Sequence, residues 1–474
     1  MNWVIKENND NESVKTLSNE LNISPILSSM LVNRDVKTFD EAKTFFRPNF
    51  EMLHDPFFMK DMSLAVERIQ KAIKKNESIM IFGDYDVDGT SSVALLSLYL
   101  ESLGLIVTKY LPDRKKEGYG ISIKAIEHAF NKKQKLIIAL DCGIKAHKQV
   151  EYAKEKGIEF IICDHHNPDK NLPKALAILN PKRKDCMYPY KELCGCGVGF
   201  KLIQGIETKQ SKDNQIINYL DLVALAIAAD VVPLTGENRV LAFIGLQIIN
   251  SNPRPGIHSL LKKNIKKEYT ISDLMYYVGP RINAAGRIKH ASLALELLTC
   301  NEINSAEKLA LEIEELNSLR REIEKDITSQ AIEQADNSSE KKNSIVVFNS
   351  DWNKGVIGIV ASRLVDNYYK PSVVFCESSK GVLTASARSI KGLDLYLVIN
   401  QCKDYIDQFG GHKYAAGLTI KKENLEGFKK RFEDIVSQTI DKHIFEQELL
   451  IESKISLSEI TPKFFRILKQ FEPF

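Results

Sequence analysis

Three aspartates spaced two residues apart, Asp84, Asp86 and Asp88 in GDYDVDG at 83–89, are the sharpest chemical feature of this sequence. They follow SIMIFG at 78–83, an apolar run that reads as a buried strand. In extended backbone such spacing aims all three to one side. Carboxylates that face together repel one another, so burying them without cations is costly. Gly83 and Gly89 permit a tight turn and close backbone approach. Taken alone, the motif fits equally well an acidic loop capping a helix that starts near Thr90.

Other motifs tip that balance. LDCG sets Asp141 directly after the run KLIIAL at 135–140, and CDHH sets Asp164, His165 and His166 directly after EFIIC at 159–163. A further carboxylate, Asp230, ends the apolar segment LVALAIAA. Carboxyl ends of parallel strands are where open α/β sheets bind ligands. Carboxylates with one or two imidazoles suit Mn2+ or Mg2+ rather than a thiolate zinc site. Several shared carboxylates imply two ions, which activate water and clamp a phosphate.

Regular alternation of strands and helices must position these groups. SIMIFG, LIVTKY at 105–110, KLIIAL and EFIIC are the expected strands, with helices between them, the first over Thr90–Leu103. This pattern predicts a mainly parallel, doubly wound sheet. Residues 1–55 read as a helical lead-in, in which Thr38 caps a helix carrying Phe39, Ala42 and Phe46. Residues 217–250 are helix-rich. A long helix is expected from Ser305 towards Gln334, with Leu309, Ile313, Leu316, Ile323 and Ile327 along one stripe. Strand signals resume at SIVVFN, 344–349, after a polar hinge candidate at 335–343.

With 474 residues, 65 basic and 62 acidic side chains, the formal charge is only +3. Attraction to a polyanion must therefore come from local clustering. Eight scattered cysteines do not form a disulfide framework. No basic segment followed by an apolar run opens the chain, and the run Leu222–Ala229 is too short to span a bilayer. The expectation is a soluble, cytoplasmic, monomeric protein away from membranes.

In order and approximate spacing, GDYDVDG, DCG, DHH and ADVVPL resemble the N-terminal motifs of the DHH phosphoesterase superfamily. The resemblance implies that Asp86 and Asp141 hold one metal ion. Asp88, Asp141, His165 and Asp230 then hold the other, with Asp141 bridging. It implies catalytic or supporting roles for Asp84 and His166.

FGGHKYAAG at 409–417 resembles the glycine-rich motif of the accessory DHHA1 domain, implying that Gly410, Gly411 and His412 bind substrate. Four more segments resemble the RecJ-like exonucleases: LPDRKKEGYG at 111–120, GPRINAAGR at 279–287, DWNKGVIGIVASRL at 351–364 and SARSIKGLDL at 386–395. Arg281, Ser386 and Arg388 are expected to form a pocket for a terminal phosphate. Arg114 is expected to add a contact, and Tyr119 to stack on a base.

The implied architecture is α/β in two lobes, a parallel-sheet DHH domain and a smaller α/β DHHA1 domain joined by a long helix. Its expected boundaries are 1–55 for the lead-in, 56–255 for the DHH domain, 256–335 for a helical region with the connecting helix, 336–441 for DHHA1, and 442–474 for an incomplete OB-like segment. A groove between such lobes would admit one strand and exclude a duplex. The implied activity is a single-stranded-DNA-specific 5′-to-3′ exonuclease of DNA repair and recombination, using two Mn2+ or Mg2+ ions and releasing 5′-mononucleotides. Single-strand-binding protein and a helicase are partners by analogy. The alternative is a DHH phosphodiesterase acting on nanoRNA or cyclic dinucleotides, against which GPRINAAGR and SARSIKG speak.

Cys194 and Cys196 in LCGCGVG lack a second cysteine pair at zinc spacing, so the segment's glycines are expected instead to let a loop pass close to the active site. Basic runs such as NPKRKD at 180–185 and KKNIKK at 262–267 are expected to form solvated faces, with contact to a nucleic-acid backbone as the alternative.

Overall fold

A computed structural model describes residues 2–6, 10–114, 116–210, 215–337, 342–439 and 447–473. The chain divides into two compact units, Asp10–Asn317 with Ile455–Phe474, and Met1–Asn9 with Ser318–Lys454. The division falls inside the helix Ile303–Asp336.

Strand β1 (Asn2–Ile5) belongs to the second of these units. The first unit is built on five strands: β2 (Ile79–Gly83), β3 (Val107–Tyr110), β4 (Leu136–Leu140), β5 (Glu159–Cys163) and β6 (Ala177–Leu179). Their order is β3-β2-β4-β5-β6 and every pairing is parallel. β2 and β4 are buried along their whole length, as expected of a sheet covered on both faces. One face carries Ile79, Ile81, Ile138, Leu140 and Ile161 under the helices Val87–Ser102, Gly195–Gln210 and Leu220–Asp230. The other carries Met80, Phe82, Ile137, Ala139 and Ile162 under Ile123–Asn131 and His147–Glu155. The expected strands are all present. β6, only three residues long, gave no periodic signal of its own.

One helix starts earlier than expected. Val87–Ser102 replaces Thr90–Leu103, because Asp86 caps it by accepting from the Gly89 N–H at 2.9 Å. The three aspartates therefore do not share one extended stretch. Asp84 follows β2, Asp86 is the cap, and Asp88 lies in the first helical turn. The capping reading thus holds for Asp86, while Asp84 and Asp88 flank the cap.

The second unit contains β7 (Ile345–Phe348), β8 (Ser372–Ser379), β9 (Val382–Arg388), β10 (Gln408–His412) and β11 (Ala415–Lys421), in the order β10-β11-β9-β8-β7. Only β7–β8 is parallel. The helix Leu425–Thr439 covers one face through Phe428, Phe432 and Ile435. On the other face the helix Ile357–Tyr368 and the end of the long helix meet through Ile327, Val360 and Leu364.

Two expectations about the termini need correction. The lead-in is not wholly helical: β1 pairs in parallel with β12 (Glu448–Ile451), a contact of high sequence separation that local propensity does not announce. Nor do the described tail residues stand apart as an incomplete OB-like segment. β12 is paired, and the helix Pro462–Lys469 joins the helices Asn11–Leu21, Pro25–Val32 and Phe39–Phe46 in one small core. Phe471, fully buried, meets Phe45 and Phe46 edge-on at 5.5 and 5.3 Å. Arg239, from the helix Gly236–Ser251 of the same unit, fastens this core by donating to the carbonyls of Phe45 and Phe471, both at 2.9 Å, and of Pro473. Residues 442–446 and Phe474, at the edges of the expected segment, lie outside the described residues, as do 338–341 of the expected hinge.

Phe471→Ala should therefore destabilise the first unit by about 3–5 kcal/mol, read as a lower denaturant midpoint with an unchanged slope.

Candidate metal centre

The carboxyl ends of β2, β4 and β5 and the end of the helix Leu220–Asp230 deliver the predicted acidic and imidazole groups to one place. Ligand atoms of Asp88, His165 and Asp230 lie within 4.8 Å of one another, and so do those of Asp141, His165 and His166. His165 stands at the middle: its Nε2 is 3.2 Å from Asp141 Oδ1, 3.6 Å from Asp230 Oδ2 and 3.8 Å from Asp88 Oδ2. Asp86 falls outside both groups, although its charge acts on Asp84, Asp88, Asp141 and Asp230.

The electrostatics are those of a site built for cations. Burial, then the charge of Asp86, pushes Asp88 up to about 7. Burial, then Asp88 and Asp86, lifts Asp230 to about 8. Burial holds Asp84 and Asp141 well above the usual carboxylate range, with neighbouring carboxylates adding to it. Both ring nitrogens of His165 are buried without a hydrogen-bond partner, as is Asp84 Oδ1. Burial, then the charge of His166, brings His165 down to about 3, which keeps the ring neutral and its lone pair available to a metal. Unsatisfied buried acceptors and a neutral imidazole fit a divalent-ion site with oxygen and nitrogen donors.

The surrounding backbone fixes these groups, and sequence reasoning missed most of it. Asp164 was noted within CDHH but given no role. It is buried, and its Oδ1 accepts from the N–H groups of His165 and His166 at 2.7 and 3.1 Å and pairs with His166 Nδ1 at 2.8 Å. Oδ2 accepts from the Ile144 N–H at 2.9 Å. Burial opposes its charge, but the hydrogen bond from His166 and the His166 charge outweigh that and bring Asp164 to about 2. Burial likewise opposes a charged His166, yet the Asp164 hydrogen bond, followed by the charges of Asp164, Asp230 and Asp88, raises it to about 9.

Asp88 is gripped by a helix N-terminus. Its two carboxylate oxygens accept from the N–H groups of Gly195 and Cys196, each at 2.7 Å. The glycine-rich segment passes close to the site as expected, but as the first turn of the helix Gly195–Gln210 rather than as a loop. A Cβ on Gly195 would stand 2.5 Å from that of Asp141. Cys194 and Cys196 are buried, their thiols pushed well up by burial, and neither belongs to the ligand groups.

The predicted substrate residues divide. The Tyr119 hydroxyl is 3.4 Å from His166 Nε2, and the residue as a whole is 59% exposed. The Arg114 guanidinium lies 4.7 Å from the Tyr85 ring centre, between Asp84 and Asp86 in sequence. Arg281 does not present a phosphate fork. It is buried, donates to Glu314 at 2.6 and 3.3 Å and to the Tyr277 carbonyl at 2.7 Å, and stacks on the Tyr277 ring. GPRINAAGR is a packing element: Gly279 lies against Ala229 and Val87, and Gly286 against the Tyr85 carbonyl, bracing the metal-site backbone.

In the second unit, register sets Gly410, Gly417 and Ser386 in one cross-strand row and His412, Ala415 and Arg388 in the next row on the same face. Arg388 donates to Ser386 Oγ at 3.0 Å, and both lie against Gly358, near the start of the helix Ile357–Tyr368. Gly411, one residue out of phase, faces the other way.

Comparison with known proteins agrees with this geometry. The DHH family, N-terminal domain, matches residues 78–227, and the DHHA1 domain matches residues 341–438. The chain is 37% identical over 480 residues to the single-stranded-DNA-specific exonuclease RecJ of Bacillus subtilis, covering all of this chain and 60% of that relative. It is 35% identical to the Haemophilus influenzae exonuclease of the same name, over 96% of this chain and 82% of the relative. RecJ of Thermus thermophilus in complex with Mn2+ superposes with a TM-score of 0.88 at 26% identity, over 100% of this chain and 68% of that one.

Two outcomes follow from the crowded carboxylates. Gly195→Ala should weaken Mn2+ binding by at least about tenfold in calorimetry, with unchanged circular dichroism, because it displaces Asp141. In chelator, the native carboxyls bind protons that the unfolded chain releases near 3.8, so stability should fall as pH rises from about 4 towards about 8. Thermal melts across that range, with and without Mn2+, check the sign.

Proposed function

Since the chain belongs to the RecJ family of single-stranded-DNA-specific exonucleases, we propose that it degrades single-stranded DNA from the 5′ end, releasing 5′-mononucleotides. The observation that carries this reading is the convergence of Asp88, Asp141, Asp230 and a neutral, unpartnered His165 at the carboxyl edge of a parallel sheet. Asp88, Asp141, His165 and Asp230 would hold one Mn2+ or Mg2+ ion, and Asp86 with Asp141 a second. Such ions supply Lewis acidity to water and neutralise charge on the reacting phosphate.

The protein's own groups do the rest. Asp164 fixes the ring of His166 and favours its protonated form, so Nε2 can donate a hydrogen bond to a phosphate oxygen. Asp84, the residue nearest the end of β2, adds a further carboxylate for positioning water. Gly195 and Cys196 keep Asp88 in one orientation. Tyr119 and Arg114 offer a stacking ring and a cation to the strand.

A 5′-phosphate anchor is assigned to Ser386 and Arg388, with the side-chain-free surface of Gly410 and Gly417 and the imidazole of His412 beside them. Gly411 faces the other way, against Ala416, and is left out, as is Arg281, which is buried and holds Glu314 and the Tyr277 carbonyl through all three of its guanidinium nitrogens. The setting would be DNA repair and recombination in the cytoplasm, alongside single-strand-binding protein and a helicase.

Incubation with Mn2+ and a 5′-phosphorylated, 3′-labelled single strand tests the reading. Progressive loss from the 5′ end is expected, absent on blunt duplex and reduced at least about 10³-fold by Asp141→Ala. Turnover of dinucleotides without attack on the long strand would overturn it. Arg388→Ala should lower kcat/KM on 5′-phosphorylated ends by about ten- to a hundredfold and leave 5′-hydroxyl ends nearly unaffected.

A further inference from the structure

In the basic run at 180–185, one lysine stands between two anchors. Asn180 is fully buried; its Nδ2 donates to the His166 carbonyl at 2.9 Å, and its Oδ1 accepts from the Lys182 N–H at 2.8 Å. Arg183 is also buried and spends its guanidinium on Asp61 and the Ile178 carbonyl, both at 2.6 Å, and on Asp185 at 2.9 and 2.8 Å. This stretch leaves the carboxyl end of β6, next to the histidine loop that follows β5. A solvated face needs no such anchoring. Here two buried polar side chains fix where the backbone of Lys182 stands.

The lysine side chain itself is loosely committed. Its Nζ is 3.6 Å from Glu192 Oε2, too long for a hydrogen bond, and the two side chains are 24% and 46% exposed. A pair so exposed adds little to stability. The backbone of Glu192 is held in turn, its carbonyl accepting from Asn238 Nδ2 at 2.6 Å. Through Asn180, the Lys182 backbone is tied to the carbonyl of His166, next in sequence to His165. An otherwise acidic centre repels an incoming polyanion, and a cation on its rim counters that repulsion. An ammonium on a flexible stem suits the task, because it can follow a phosphate that must advance after each cleavage.

We infer that Lys182 is a substrate-binding residue of the nuclease, its ammonium taking a non-bridging oxygen of the phosphodiester at the metal centre, with Glu192 as its counter-ion in the free enzyme. This rests on the exonuclease reading above. The test uses the full chain, Lys182→Met, Lys182→Arg and Glu192→Gln, and a 5′-phosphorylated single strand.

With Mn2+, Lys182→Met should lose about ten- to a hundredfold in kcat/KM while Lys182→Arg keeps most of it. Anisotropy binding in Ca2+, with the absence of cleavage checked, should show the slope of log affinity against log salt reduced by about 0.7 in Lys182→Met, one phosphate contact on a single strand. Glu192→Gln should lower KM and leave the slope intact. Wild-type slope and kcat/KM in Lys182→Met would overturn the inference, as would Glu192→Gln losing as much affinity as Lys182→Met, which would mark the pair as merely structural. A wild-type chain inert on single strands would sink the exonuclease reading instead, and the binding slopes would still judge Lys182.

Discussion

Carboxylates forced together out of water constrain this fold more than any other interaction. Asp84, Asp88 and Asp141 are almost fully buried, and Asp86 and Asp230 stand beside them. Without cations, burial first and neighbouring charge second hold Asp84, Asp88, Asp141 and Asp230 above the usual carboxylate range, and protons are a poor substitute for metal near neutral pH. A chain that keeps such a cluster must hold it by other means until the ions arrive. Much of the surrounding architecture does so. The N–H groups of Gly195 and Cys196 clamp Asp88, Asp86 caps the helix that carries Asp88, and Asp164 collects two backbone N–H groups and the His166 ring.

The same constraint accounts for small residues around the centre. Asp141 adopts a left-handed backbone conformation at φ 58°, which an aspartate tolerates, and Gly195 leaves room for it. Gly279 and Gly286 let the helix Gly279–Ile288 approach Val87, Ala229 and the Tyr85 carbonyl, all adjacent in sequence to the clustered aspartates. The buried pair of Arg281 and Glu314 fastens that helix to the long one. Precision at the site thus comes from packing at some distance from it.

Much of this was legible from residue order. The alternation of apolar runs announced the parallel sheet, and motifs at the ends of successive runs announced the shared site, because both are local in sequence. What stayed hidden depends on distant partners. β6 is too short to show a period, β1 finds its partner more than four hundred residues away, and the tail helix is held by Phe45, Phe46 and Arg239. Arg281 resembles a phosphate ligand in its motif, and only Glu314, thirty-three residues on, reveals it as a brace. Asp164 carried a visible signal, a carboxylate beside two histidines at a strand end, yet its role as the group that orients them needed the backbone geometry.

Thermal unfolding of the wild type and Asp141→Asn, each in chelator and in saturating Mn2+ near pH 8, tests the central claim most directly. If repulsion among buried carboxylates shapes the site, removing one charge should make the metal-free protein more stable than wild type. The same substitution should abolish most of the Mn2+-induced gain that the wild type shows. The ranking of the two proteins would then reverse between the two conditions. A wild type that is already the more stable in chelator, or that gains nothing from Mn2+, would contradict the account.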